Sequence, residues 1–292
     1  MSAAADSAAF CADLVRTHDF ERYAATLFVN ADSRRALLAM YAFNVEISRV
    51  RDQVSQPLPG EIRLQWWTDL LQGLGHGGAE GNPVAAELQR AIAEHGLPVE
   101  PLSRLIEAHR FDLYNDPMPD MAAFEGYLVD TCSTLFSLGA RVMGDASEAA
   151  GHLARHAGVA QGMARVLAML PSDAARRQLL VPLPLLARHG SGIEEVFARN
   201  MTSQLGAALI ELIGEARAHL ARSFELRAQL PAKLRPLFLP LALVRYDLER
   251  MARANVDLFN RSARSRLRTL WILWRASRAG IAPDGAQRLA PG

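Results

Sequence analysis

Ser48 and Asp52 stand one helical turn apart in "YAFNVEISRVRDQV" (41–54), and only the second carries a carboxylate. Tyr41, Val45, Ser48 and Asp52 fall at helical spacing, so they are expected to look into a common interior. Magnesium needs several oxygen ligands in near-octahedral geometry, and one aspartate flanked by Arg49 and Arg51 does not supply them. His152 and His156 in "HLARH" have the i, i+4 spacing that can seat a metal, but no third ligand is adjacent, which favours an exposed helix face. The loop "GHGG" lacks the Gly-Lys-Ser/Thr ending of a phosphate loop, and no Gly-x-Ser-x-Gly elbow occurs. Neither Cys11 nor Cys132 has a histidine partner nearby in sequence.

Charge is the other resource. "RSARSRLRTLWILWRASR" (261–278) contains six arginines, no acid, and the pair Trp271 and Trp274. Arg261, Arg264, Arg266 and Arg268 offer a contact for anionic lipid or an acidic partner. Leu267, Leu270, Trp271 and Trp274 of this terminal helix are expected to pack into the protein core, with the arginines outside. Over the whole chain, 32 Lys and Arg balance 31 Asp and Glu, so no global field favours nucleic acid. Two cysteines suit a reducing compartment. The start, "MSAAADSAAFCADLV", has neither the charged head and apolar run of a secretory signal nor the arginines of a transit peptide. No charge-free window is long enough to span a bilayer, so a cytoplasmic protein, soluble or peripheral, is expected.

Helices must position these groups, because no period-2 strand pattern is present. Asn30 or Asp32 caps a helix over about 33–54, with Leu37, Met40, Tyr41 and Val45 along one side. "QPLPG" (56–60) stops it and "GHGGAEGNP" (75–83) reads as a loop. Further helices are expected at about 84–95, 101–114, 120–143, 146–169, 202–228, 232–252 and 255–278, with Pro171 ending the one before it. No linker is long or polar enough to divide the 292 residues, which predicts one all-α domain, its core over about 10–278.

Three blocks in order give the chain a family resemblance. "SRRALLAMYAFNVEISRVRD", "GYLVDTCSTLFSLGARVMG" (126–144) and "GVAQGMARVLAMLPSDAARRQLLVPLPLLARHG" (158–190) resemble the two aspartate-rich helices and the middle helix of the squalene/phytoene synthase family. The resemblance implies an isoprenoid-synthase fold, about ten helices around a central cavity. In active members it also implies magnesium held between facing aspartate-rich helices, where it neutralises a departing diphosphate. This sequence departs from that pattern at the site. Ser48 and Arg49 replace acids of the first motif and Asp52 remains; Arg165, Ala168 and Met169 replace Asn, Arg and Asp of the second. Asp173 matches the final acid, but Pro171 is expected to take it out of phase. Ser133 and Phe136 stand where two glycines leave room for substrate. Asp52 is therefore expected to pair with Arg165 across the gap, and Met169 either fills core or marks a lost ligand. Arg34, Arg35, Arg176 and Arg177 either grip a diphosphate or pair with nearby acids.

Within the family, "LVRTHDFERYAATLF" (14–28) and "AFNVEISRVRDQVSQPLPGEIRLQWW" (42–67) are most similar to a degenerate branch associated with assembly of mitochondrial respiratory complex I. That resemblance implies a non-catalytic protein without cofactor, with complex I subunits or assembly intermediates as partners and a peripheral place on the inner membrane. The competing readings are an active head-to-head prenyl transferase, using magnesium and farnesyl or geranylgeranyl diphosphate, and a carrier that holds an isoprenoid or quinone-like lipid without turning it over.

Overall fold

Side-chain caps and prolines set where the helices begin. Asn30 accepts from the Ser33 amide at 2.9 Å, Asn82 from Val84 and Ala85, Asp120 from Ala123, and Ser147 from Ala150. Pro57 and Pro83 occupy first-turn positions, where the missing amide costs nothing. Gly96 closes its helix in the left-handed region, φ +56°. A computed structural model describes residues 3–74, 81–253, 256–260 and 262–279. Most of the loop expected at 75–83, and Arg261, lie outside the described residues.

Fourteen α-helices follow, with no strand among the described residues. They are α1 (Ala3–His18), α2 (Phe20–Thr26), α3 (Ala31–Ser48), α4 (Pro57–Leu71), α5 (Pro83–His95), α6 (Val99–Arg110) and α7 (Met121–Leu128). Then come α8 (Thr134–Val142), α9 (Glu148–Ala175), α10 (Leu183–Arg188), α11 (Ile193–Phe197), α12 (Ser203–Arg227), α13 (Pro240–Met251) and α14 (Arg266–Ala279). The fold is all-α. No helix among the described residues is long and apolar enough to cross a membrane.

Three departures from the sequence reading shape the site. The helix expected to reach residue 54 ends at Ser48, and Asp52 sits in a one-turn 3-10 segment, Arg51–Gln53. The helix expected over 120–143 is interrupted by a π-helical turn, Val129–Ser133, between α7 and α8. Pro171 does not end its helix, since α9 runs four residues further to Ala175. Burial of Leu170 and Ala174, both 2% exposed, holds that last stretch in place, so tertiary packing outweighs the lost amide.

α9 is the spine of the protein. It packs along α12, against α8, and over the π turn. Two glycines permit the last contact: a Cβ at Gly158 would lie 2.3 Å from the Ser133 backbone nitrogen, and one at Gly162 2.6 Å from Leu128. The approach fixes how α9 is registered against Tyr127 and the residues below it.

Candidate functional site

Near the C-terminal end of α9 the helices enclose a cleft of about 150 Å³. Its walls come from α3 and the turn after it (Asn44, Ser48, Arg49, Asp52), from the end of α6 (His109) and the 3-10 turn that follows (Asp112), from Tyr127, and from α9. Arg165, Met169 and Asp173 recur every four residues on α9, so each successive turn presents one of them to the cleft. Pro171 therefore leaves Asp173 in phase, contrary to the expectation from sequence.

The ionic partner of Asp52 is Arg176, at the C-cap of α9, and not Arg165. Arg176 also lies 3.6 Å from Asp173, so one guanidinium bridges two carboxylates. Arg165 is exposed and makes no ion pair within the described residues. Met169 is 39% exposed and lines the cleft, so it is not a core filler. Burial pushes the Asp173 carboxyl up to about 6, against the pull of Arg176.

Deeper in the cleft lies a group that the sequence reading did not single out. Tyr127 donates to both oxygens of Asp112 at 2.9 and 3.0 Å, and His109 Nδ1 lies 2.6 Å from Asp112 Oδ2. A carboxylate only accepts, so Asp112 orients the imidazole through Nδ1. His109 Nε2 is buried without a hydrogen-bond partner. Burial, and then the Asp112 charge, raise the Tyr127 hydroxyl well above the ordinary tyrosine range, so it stays a donor. Arg22 closes the floor, paired with Asp19 at 2.6 Å and donating to Gln161 at 2.8 Å. The i, i+3 spacing of His109 and Asp112 in "HRFD" was the signal available for this group.

Other expected site residues lie elsewhere. Tyr41 and Val45 are buried beside the cleft and do not line it; the Arg22 guanidinium stands 5.6 Å from the Tyr41 ring centre. Ser133 donates to the Arg155 carbonyl at 2.8 Å and Phe136 stacks on Phe238 at 5.3 Å, so both serve helix packing. Arg34 caps the end of α2 through the carbonyls of Thr26 and Val29, and Arg35 grips Glu87 with two nitrogens. Arg177 lies over the Phe197 ring. Of the four arginines considered for diphosphate, only Arg176 reaches the cleft.

The arginine-rich end also departs from expectation. The Arg264 side chain is 3% exposed and is held between Glu21 and Asp247 as a structural ion pair. Arg266 lies over Phe20 and Arg268 donates to the Tyr246 hydroxyl. Trp271 and Trp274, expected in the core, face outward. His156 is not on a bare face: its Nδ1 meets that of His219 on α12 at 3.1 Å, while His152 pairs with Glu148.

The sequence profile of squalene/phytoene synthases matches residues 15–271, through all the elements that build the cleft. The chain belongs to the squalene/phytoene synthase family. A rat relative, NADH dehydrogenase (ubiquinone) complex I assembly factor 6, is 30% identical over 257 residues, covering 88% of this chain and 77% of that protein. Among solved structures, the squalene synthase of Alicyclobacillus acidocaldarius superposes with a TM-score of 0.68 at 21% identity, covering 95% of each chain. A dehydrosqualene synthase gives a TM-score of 0.80 at 15% identity, covering 94% of this chain and 97% of that one. These structures show that the fold is that of isoprenoid synthases.

Magnesium, which the family resemblance implies for active members, does not fit the donor set of this cleft. Asp52 is engaged by Arg176, Asp112 by Tyr127 and His109, and Asp173 is buried with a raised pKa. Arg165 and Met169 occupy the α9 face at the turns before Asp173. Among the described residues, no three His, Cys, Asp or Glu side chains come together to hold a metal ion.

Proposed function

We propose that this protein is a non-catalytic member of the squalene/phytoene synthase family that supports assembly of respiratory complex I from the membrane periphery. One observation carries the loss of chemistry: the Asp52–Arg176 ion pair places a fixed cation against the one carboxylate left in the first motif. Ionising an allylic diphosphate requires charge stabilisation at the leaving group, and metal-bridged carboxylates usually supply it. The assembly role is supported by similarity over most of the chain to proteins named complex I assembly factor 6, the rat protein among them. Its partners on this reading are complex I subunits or assembly intermediates.

Two experiments test it. Purified protein given farnesyl or geranylgeranyl diphosphate with magnesium should release no presqualene diphosphate, squalene or phytoene above a heat-killed control. A deletion strain should lose NADH:quinone oxidoreductase activity and assembled complex while its polyisoprenoids stay unchanged. Missing polyisoprenoids with intact complex I would establish the transferase instead.

A second reading has its own observation. The unpartnered His109 Nε2 and the exposed Arg165 are both cleft residues, an arrangement suited to a polar head group bound without turnover. At about 150 Å³ the cleft is smaller than ordinary ligand pockets of roughly 300–1,000 Å³, so a long prenyl chain would have to extend beyond it. Lipid extracted from protein purified in its native host, identified by mass spectrometry, decides this reading.

A further inference from the structure

The outward side of α14 is apolar where a surface helix is ordinarily polar. Leu267, Trp271 and Trp274 are 81%, 54% and 52% exposed, and steps of four and three residues align them in one stripe. Thr269, Ile272, Leu273 and Ala276 are buried on the opposite side, where α14 packs against α13 and α2. The stripe therefore points directly away from the protein. The sequence pattern puts Leu267, Trp271 and Trp274 inside with only arginines outside, and the structure reverses this for all three.

Cations attend the indoles. The Arg275 guanidinium lies 5.4 Å from the Trp271 ring centre and that of Arg278 lies 5.7 Å from Trp274. Arg268 flanks the stripe one residue after Leu267, and α14, "RLRTLWILWRASRA", contains no acid. An occupant of this face must accept large amphipathic rings and also carry negative charge.

A second copy of the chain meets the requirement poorly. A two-fold contact would set the same arginines against themselves without a compensating acid. The head-group region of an anionic bilayer meets both demands, because indoles settle at that level while arginine stems reach to phosphates. At fourteen residues the helix is about 21 Å long, suited to lying in the interface and too short to span.

We propose that α14 is an in-plane membrane anchor for anionic phospholipid, with Leu267, Trp271 and Trp274 entering the interface and Arg268, Arg275 and Arg278 on lipid phosphates. The proposal deepens the peripheral placement named in the proposed function and does not depend on the assembly role.

The test uses the full chain with phosphatidylcholine vesicles, with and without phosphatidylglycerol. The protein should sediment with anionic vesicles and shift its tryptophan emission to the blue, and added salt should weaken both effects. Trp271→Ala/Trp274→Ala should reduce partitioning at least about tenfold and abolish the shift, with the helical circular dichroism unchanged. Arg275→Glu/Arg278→Glu should lose the preference for anionic vesicles. Absence of sedimentation at low salt, equal binding by the tryptophan variant, or a dimer that this variant dissociates would each overturn the anchor. Vesicle binding is read on purified protein and complex I content in the deletion strain, so the anchor and the assembly role fail separately.

Discussion

Arg176 closes an ion pair on Asp52 from 124 residues away in sequence, and the same guanidinium reaches Asp173. The pair is partly solvated, with side chains 39% and 42% exposed, so it contributes little to stability and much to what the cleft can hold. Arg176→Ala should cost less than about 1 kcal/mol in urea unfolding. Adding Ser48→Asp and Met169→Asp on that background should create magnesium affinity measurable by calorimetry, whereas the unaltered protein should give no binding heat.

Asp173 should be a liability to the fold at neutral pH. Burial raises its carboxyl from 3.8 to about 6, so the folded state holds a proton that the unfolded chain releases. Its contribution is complete below about pH 4 and is lost as pH rises through about 6. Asp173→Asn should raise stability by on the order of 1 to 3 kcal/mol at pH 7.5 and leave it unchanged near pH 4, read from paired urea titrations. Equal effects at both pH values would refute the assignment.

The His156–His219 contact predicts weakening in mild acid. Burial lowers both imidazoles; the charges of His219, Arg155, Arg222 and His152 add to this at His156, while at His219 Glu125 and Glu215 oppose it and Arg155 adds to it. A lowered base is stabilising when neutral, so that contribution is whole above about pH 6.5 and is lost as pH falls through the lowered values. The melting temperature of His219→Gln relative to the parent should rise as pH falls below about 6.5, because the Asp173 contribution is common to both.

Gly158→Ala should destabilise by about 1–3 kcal/mol, because its new methyl meets the Ser133 backbone rather than a side chain that can swing away. Gly151→Ala on the same helix meets nothing within 4 Å and should be neutral or stabilising by up to about 1 kcal/mol. Chemical denaturation of the two variants checks both signs.

Arg264→Glu should cost about 3–5 kcal/mol, since it removes a buried cation and sets a third acid beside Glu21 and Asp247. Arg275→Glu on the outer face of α14 should change stability by less than about 0.5 kcal/mol. Thermal melts separate the two, and similar losses would contradict the burial pattern.

The helices were legible in the sequence because caps and apolar periodicity are local signals: Asn30, Asn82, Asp120 and Ser147 each cap where a side-chain oxygen can reach an amide two or three residues on. The partner of Asp52 was not. Arg165 and Arg176 lie eleven residues apart, three turns of one helix, so both present the same face and periodicity cannot choose between them. The choice depends on α3 unwinding after Ser48, which carries Asp52 toward the far end of α9. Ser133 and Phe136 were placed in the cleft by alignment to glycines, but the π turn rotates that segment toward Gly158 and Phe238. On α14, alternation alone does not say which apolar stripe is the inner one; Ile272 and Leu273 win the core and leave the tryptophans outside.

The exposed residues of α9 that face the cleft are distinct from the residues that anchor the helix in the core, although the buried Gly162, Val166 and Asp173 line the cleft as well. Arg165, Met169 and Arg176 are exposed, while Leu167, Leu170 and Ala174 make the packing. A scaffold divided in this way can exchange a metal-binding face for an arginine-and-methionine face at small cost in folding free energy. If the protein is non-catalytic as proposed, loss of catalysis and retention of shape are independent events, and a surface selected for recognition can persist on the old scaffold.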